Sequence, residues 1–590
     1  MYVGALRWML CVGLLARVNA SINPPSYRLA LEFEPASQSC AVVASGPSQL
    51  HKGLLDEAVV LVKRPLIVDR HGHGHSTSTS QYVEIFGRDH RAALTKAVEL
   101  CGAPLVESEI GLAVTDAIDD GLVDAFEIFE IVNSGPPENR IDIVIMGDGY
   151  IASEKMKFLD DAKRLAHDLF VGDTFKSVLP LLNVWAVYAA SNESGIGVGG
   201  KPKNTTFGLY RDGTELRGIY CSKMHVARRA CKAIGPFACD YPTLIANDDF
   251  YGGLGGEFTI STRSKTSGTI VLRHELGHNL VEVGEEYDGG EVYEGVNSAL
   301  NITRIPWAHW LHPGEVKEQK SEQALHDYAW HDLTTGAYRK VFHSDSSFGR
   351  WFIRASASGV PDKQSLQVLL DGRELDWVET GNDDRCFLEW VQLDETKPLG
   401  QGFHVIEFKS TPKENGRPQQ LCHIEVLQYG NEPDFTWEPD YIGAFPTFDS
   451  RGQKTIRPTN EGCLMRNMSR PTLCKPCVEG LWRSLMSRVD LIESVKIMTS
   501  KDEVSVSLRT MHFGKFREDR NRIVGEELKV SWYRDNVRLP QFDDEFSVSG
   551  TSEHMWGNWA IEVELLTPEV RSDPNGYLKS ETYFSIGRGQ

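Results

Sequence analysis

The sequence predicts a multidomain chain in which an α/β (α+β) core is flanked and interrupted by β-sandwich domains. Three observations point there. The 590 residues suit roughly four domains at about 150 residues each. A strand–helix–strand order begins at Ile141, as in a core that layers helices on a sheet. On both sides of it, short alternating or β-branched runs are separated by turn residues.

Each segment has its own signature. In residues 1–20, Arg7 precedes the apolar run Trp8–Leu15, and Val18-Asn19-Ala20 offers small residues for cleavage. This is the pattern of a secretory signal peptide, and the run is too short to span a bilayer. Residues 21–134 are β-rich, with strands expected at Tyr27–Phe33, Ala58–Val62 and Gln81–Phe86. His71, His73 and His75 fall in a loop between them, where the interleaved residues give no rigid metal site. Ser134-Gly135-Pro136-Pro137 marks a boundary. Residues 135–334 open the core. Ile141–Met146 is apolar almost without alternation, as in a strand buried on both faces. Ser153–Phe170 repeats apolar residues at helical spacing, and Asn183–Tyr188 reads as the next strand. Residues 335–430 predict an inserted β-sandwich, with strands at Trp351–Ala355, Leu366–Leu370 and Phe403–Phe408. Residues 431–489 return to the core. Residues 490–590 predict a terminal immunoglobulin- or fibronectin-like sandwich, with strands at Val504–Leu508, Leu528–Tyr533 and Trp559–Glu564.

Composition narrows the partners. The net charge is −20 and no long Lys/Arg block offsets it, so a phosphate backbone is repelled and nucleic acid is excluded as a partner. No apolar run after the leader approaches spanning length, and the polar C-terminus carries no lipid-anchor signal. Of eleven cysteines, Cys11 lies in the leader; the remaining ten suit disulfides in an oxidising compartment. Among these, Cys463, Cys474 and Cys477 read first as disulfide partners and second as structural zinc ligands. Sequons at Asn192, Asn204, Asn301 and Asn467 fit a secreted glycoprotein.

The chemistry concentrates in Thr269–Val283, a stretch with helix-compatible apolar spacing that Gly284 is expected to stop. It contains His274-Glu275-Leu276-Gly277-His278. Histidines four apart share a helix face and can grip one zinc ion. Glu275 then sits beside the metal, placed to take a proton from zinc-activated water and return it to a leaving amine. A third ligand is required, and the carboxylates Glu285 and Glu286 follow closely; Glu285 is the first choice and Glu286 the second. Tyr287 is a candidate hydrogen-bond donor to a developing oxyanion. Tyr251–Gly256, rich in glycine, leads towards the motif; it lacks the Gly-Lys-Ser/Thr ending of a phosphate loop.

These residues together resemble the signature of the IgA-specific metallopeptidase family, a group of metzincin-like zinc peptidases. The family pattern is His-Glu-x-Gly-His, a short spacer, then Asp/Glu-Glu-Tyr, matched here by His274–His278 and Glu285-Glu286-Tyr287. Further blocks agree in order: Ile143–Tyr150 ending in Gly-Asp-Gly-Tyr, Ser191–Gly195, Tyr251–Gly256, Asn301–Trp310, and Cys463-Leu464-Met465-Arg466 followed by Cys474-Lys475-Pro476-Cys477. The resemblance implies a zincin-like catalytic domain with one catalytic Zn2+, His274 and His278 as ligands, Glu275 as base and a carboxylate as third ligand. The usual metzincin third histidine position, six after the second, is Gly284. Met465 or Met468 is the candidate for an apolar floor beneath the metal, like the methionine turn. The expectation is a secreted zinc metalloendopeptidase acting on protein or peptide. The alternative is a non-catalytic secreted adhesion or carbohydrate-binding protein built on the sandwiches, which the presence of Glu275 disfavours.

Overall fold

The apolar run at Ile141–Met146, interrupted by Asp142 alone, has a direct structural cause. In the computed structural model, Ile141–Asp148 is the middle strand of a five-stranded sheet. The order is Thr259–Thr262, Tyr241–Ala246, Ile141–Asp148, Leu182–Tyr188, Glu127–Val132. The first four strands run parallel, and the last pairs antiparallel with Leu182–Tyr188. Ile141, Ile143 and Ile145 pack into one core with Phe158 and Leu165 of the helix Lys155–Phe170, and with Leu272 and Leu276 of the helix Gly268–Leu280. Val144 and Met146 pack into another with Val226, Ala227 and Ala230 of the helix Met224–Ala233. Water reaches neither face, so neither set of alternate positions has reason to be polar.

The structure describes residues 26–34, 39–48, 59–65, 81–87, 90–101, 126–170, 174–211, 218–235, 238–289, 295–311, 319–411, 419–430, 438, 440–449, 453–500, 502–513 and 522–587. The leader and the His71–His75 loop lie outside them. The N-terminal strands form an antiparallel sheet ordered Ser39–Ser48, Ser26–Glu34, Gln81–Gly87, Val59–Pro65. It carries a helix, His90–Cys101, that the β-rich reading of residues 21–134 did not anticipate.

Between the core segments lie two sheets with a common core. One is ordered Ser321–Asp327, Gln420–Tyr429, Arg350–Ser358, Cys386–Gln392; the other Tyr338–Ser344, Gly402–Ser410, Leu366–Leu370, Arg373–Glu374. Ile353, Leu388 and Val426 of the first meet Phe342, Val368 and Phe408 of the second. Ser321–Asp327 begins this module ahead of the expected start at 335. It is an edge strand of mostly half-buried residues, so it lacks the alternation that marks a strand in sequence.

The C-terminal residues form sheets ordered Ile492–Thr499, Glu503–Thr510, Ser547–Thr551 and Val537–Arg538, Glu527–Arg534, Gly557–Leu566, Lys579–Ile586. Their core is continuous with the central one: Val506, Trp532, Trp559 and Ile561 belong to the same buried cluster as Leu481 and Trp482 of the helix Lys475–Met486. Among the described residues, no helix is long and apolar enough to cross a membrane.

Among the described residues the disulfide framework is smaller than expected. Cys231 and Cys239 are bonded, as is Cys101. Cys221, Cys386, Cys422, Cys463, Cys474 and Cys477 are thiols. Three of the four sequon asparagines are exposed, but Asn467 is buried and donates through Nδ2 to Glu389 at 3.2 Å. A glycan has no room at Asn467.

Candidate metal centre

The motif helix runs Gly268–Leu280 and ends four residues before the expected stop at Gly284. Val281 is already extended, and the chain continues without regular structure past Gly284. Val281 and Val283 are nevertheless buried, so their apolar character reports burial rather than helix. Within the helix, His274 and His278 stand a turn apart with ring centroids 4.8 Å from each other and planes at 83°. Their Nε2 atoms are 3.2 Å apart. His278 Nδ1 faces the carbonyl of Val283 at 3.1 Å, which fixes the ring's orientation.

Glu285 closes the triangle. Its Oε2 is 3.3 Å from His274 Nε2 and its Oε1 is 3.1 Å from His278 Nε2. Tetrahedral bonds of about 2.0–2.1 Å to N and O donors put neighbouring donors about 3.3 Å apart, so the three atoms have the spacing of a zinc cradle. Glu285 Oε2 is buried and takes no hydrogen bond, an orphaned acceptor of the kind a bound cation would satisfy. Burial would raise the Glu285 carboxyl, but the imidazoles of His278 and His274 hold it well below its ordinary value. Burial would lower His274, and the Glu285 and Glu275 carboxylates instead raise it to about 9.

Glu286 points elsewhere. Its Oε1 accepts from Asn297 Nδ2 at 2.7 Å and lies 3.9 Å from Cys477 Sγ. The geometry therefore separates the two carboxylates that the sequence leaves as rivals. Asn297 is the residue that sequence reasoning missed. It accepts from the Gly284 N–H at 2.7 Å and donates to the Gly284 carbonyl at 3.0 Å, clamping the backbone between the helix and Glu285. Nothing marks it in sequence, because its partners lie across a loop.

The remaining candidates surround this triangle. Glu275 lies against the glycine-rich loop: a Cβ on Gly255 would come within 2.6 Å of Glu275 Oε2. That loop is held by hydrogen bonds in both directions between Leu254 and Ile260 of the edge strand. Tyr287 is half-buried, with its ring centroid 6.2 Å from that of His274. Burial, then the Glu285 charge, raises its phenol well above the ordinary value, so it stays a protonated donor. Met465 lies against the helix, its Sδ only 3.3 Å from where a Cβ on Gly277 would stand, closer than ordinary van der Waals contact, and its carbonyl accepts from the Glu286 N–H at 3.1 Å. Met468 instead meets the Tyr251 hydroxyl at 3.9 Å.

The inserted module contributes too, through residues the sequence reading passed over. Asp384 accepts from Ser264 Oγ at 2.8 Å and Ser267 Oγ at 2.6 Å, at the start of the motif helix, and from the Tyr251 N–H at 2.5 Å. Arg385 lies over the Tyr251 ring, 4.5 Å from its centroid. Arg466, of the Cys-x-Met-Arg block, pairs with Asp288 at 2.7 Å and Glu461 at 2.8 Å. Arg354 on the inserted module also pairs with Glu461, and with Glu425 at 3.2 Å.

Comparison with known proteins gives one informative match. No curated protein matches the chain. Among solved structures, a family 35 carbohydrate binding module from Clostridium thermocellum is 17% identical over 15% of this chain and 68% of its own, with a TM-score of 0.12. A GH2 β-galacturonidase from Eisenbergiella tayi is 10% identical over 47% of this chain and 45% of its own, with a TM-score of 0.13. A β-glucuronidase from Ruminococcus gnavus is 11% identical over 42% and 34%, with a TM-score of 0.11. The chain thus spans less than half of either glycosidase, and scores this low describe no common overall fold. The family model described as IgA peptidase M64, in contrast, matches residues 129–339, the stretch that holds the central sheet, the motif helix and Glu285. Over that segment the chain is similar to the IgA peptidase M64 family.

Proposed function

We propose that this protein is a secreted zinc-dependent metalloendopeptidase with a zincin-like catalytic core. The observation that carries the reading is the approach of His274, His278 and Glu285 to within 3.1–3.3 Å of one another, in a segment matching a peptidase family. A zinc ion bound there would act as a Lewis acid on the scissile carbonyl and lower the pKa of water. Glu275, next to His274 and not among the three converging groups, takes the proton of the attacking water and delivers it to the leaving amine nitrogen. The tight fit at Gly255 keeps its carboxylate in place. Tyr287, a protonated donor beside the cluster, stabilises charge developing on the carbonyl oxygen. The leader pattern, the Cys231–Cys239 disulfide and the exposed sequons at Asn192, Asn204 and Asn301 support export.

The test is cleavage of an unfolded protein before and after chelation. Chelation is expected to abolish cleavage and added zinc to restore it, and Glu285→Ala is expected to weaken metal affinity at the histidine pair at least 10-fold. Cleavage that survives full metal removal would overturn the proposal.

A further inference from the structure

We propose that Glu286, Cys463, Cys474 and Cys477 form a second, structural zinc site. One ligand atom from each lies within 4.8 Å of the others. Cys463 Sγ and Cys477 Sγ are 3.8 Å apart, and Cys474 Sγ and Cys477 Sγ 3.4 Å. Bonds of about 2.3 Å to a tetrahedral zinc put two sulfurs about 3.8 Å apart, whereas a disulfide needs about 2.05 Å. All four side chains are buried, none above 5% exposed.

The fourth ligand distinguishes a metal from a disulfide. Glu286 Oε2 is buried and has no hydrogen-bond partner, while Oε1 is held by Asn297 at 2.7 Å. A disulfide would use two of the three sulfurs and leave both the third thiol and Oε2 unsatisfied. A zinc ion uses all four, with Asn297 orienting the carboxylate from behind. Thiolate-rich donor sets favour zinc over hard cations. Three thiolates and a carboxylate leave the zinc site with excess negative charge, and the surroundings offset it. Cys474 is the N-cap of the helix Lys475–Met486 and Cys477 lies in its first turn, where the helix dipole favours anions. The Cys474 N–H donates to Cys463 Sγ at 3.4 Å. Arg466 Nη1 donates to the Glu286 carbonyl at 3.3 Å.

The site ties the Glu286 segment to Cys463 and to the start of the helix Lys475–Met486, far along the chain. It fixes Glu286, the residue after Glu285, and so anchors the irregular stretch on which Glu285 is presented. It stands on its own donors and does not depend on the peptidase reading.

The experiment measures zinc per chain in the full-length protein purified without chelator. Wild type is expected to hold about two ions, His274→Ala/His278→Ala about one, and Cys474→Ser/Cys477→Ser about one. Zinc-edge X-ray absorption on the histidine double variant is expected to show a sulfur shell at about 2.3 Å. A second measurement needs no variant: wild type unfolded in chelator is expected to alkylate at Cys463, Cys474 and Cys477. A disulfide linking any two of these residues, or a histidine double variant with no sulfur-bound zinc, would overturn the proposal. Wild type that holds the sulfur-bound ion yet cleaves no unfolded protein would count against the peptidase reading alone.

Discussion

At the scale of single residues, the centre depends on which way two adjacent glutamates face. The helix repeat makes His274, Glu275 and His278 legible as a unit, since residues four apart must share a face. Glu285 and Glu286 offer no such rule, because they lie outside the helix on irregular chain. What settles their directions is Asn297, bonded to both main-chain groups of Gly284 and to the Glu286 carboxylate. A side chain that acts across a loop leaves no periodic trace. Asn297→Ala should strand three buried polar groups and cost about 3 kcal/mol of stability, read from chemical unfolding. Zinc affinity or activity should fall by about 10–100-fold as Glu285 loses its support. A variant with wild-type stability and activity would show that the clamp is dispensable.

At the scale of elements, the parts nearest the chemistry were legible for physical reasons and misjudged at their ends for others. Ile141–Met146 was visible because burial on both faces removes alternation. The motif helix is visible through its apolar spacing, but that spacing runs past the helix end: Val281 and Val283 are buried outside the helix. The pattern cannot tell a helical apolar residue from an extended one packed on the same core. The glycine-rich loop had a composition but no evident purpose. Its contact with Glu275 gives one, because Gly255 leaves space that any side chain would fill. Gly255→Ala should displace the carboxylate and lower kcat by about 100-fold, as misplacing a reacting group by about 1 Å does. Zinc content and melting temperature should change little, since the end of a flexible side chain can yield. Unchanged kcat would show that Glu275 is not held by the loop.

At the scale of the whole molecule, the β modules are fastened to the core by buried charge as well as apolar contact. Strand signals exposed these modules in sequence, but their docking was illegible because it joins residues hundreds of positions apart. Glu479, on the cysteine-bearing helix, accepts from His309 at 2.5 Å, from Trp310 Nε1 at 2.9 Å, and from the N–H groups of Arg571 and Ser572 at 2.6 and 2.8 Å. It joins the post-motif loop to the C-terminal module, which shares the central core. Removing one partner from a buried charged network leaves the others unpaired, so Glu479→Ala should destabilise the protein by about 3–5 kcal/mol in chemical unfolding. A loss below about 1 kcal/mol would place the docking energy in the apolar contacts alone.

The reading of the whole rests on Glu275 as the proton carrier beside a metal held by His274, His278 and Glu285. The most direct measurement is the steady-state rate of cleavage of an unfolded protein by Glu275→Ala, with zinc content determined on the same sample. The account predicts zinc retained at the wild-type level and kcat reduced by about 100- to 10,000-fold. Cleavage at the wild-type rate by the zinc-loaded variant would contradict it.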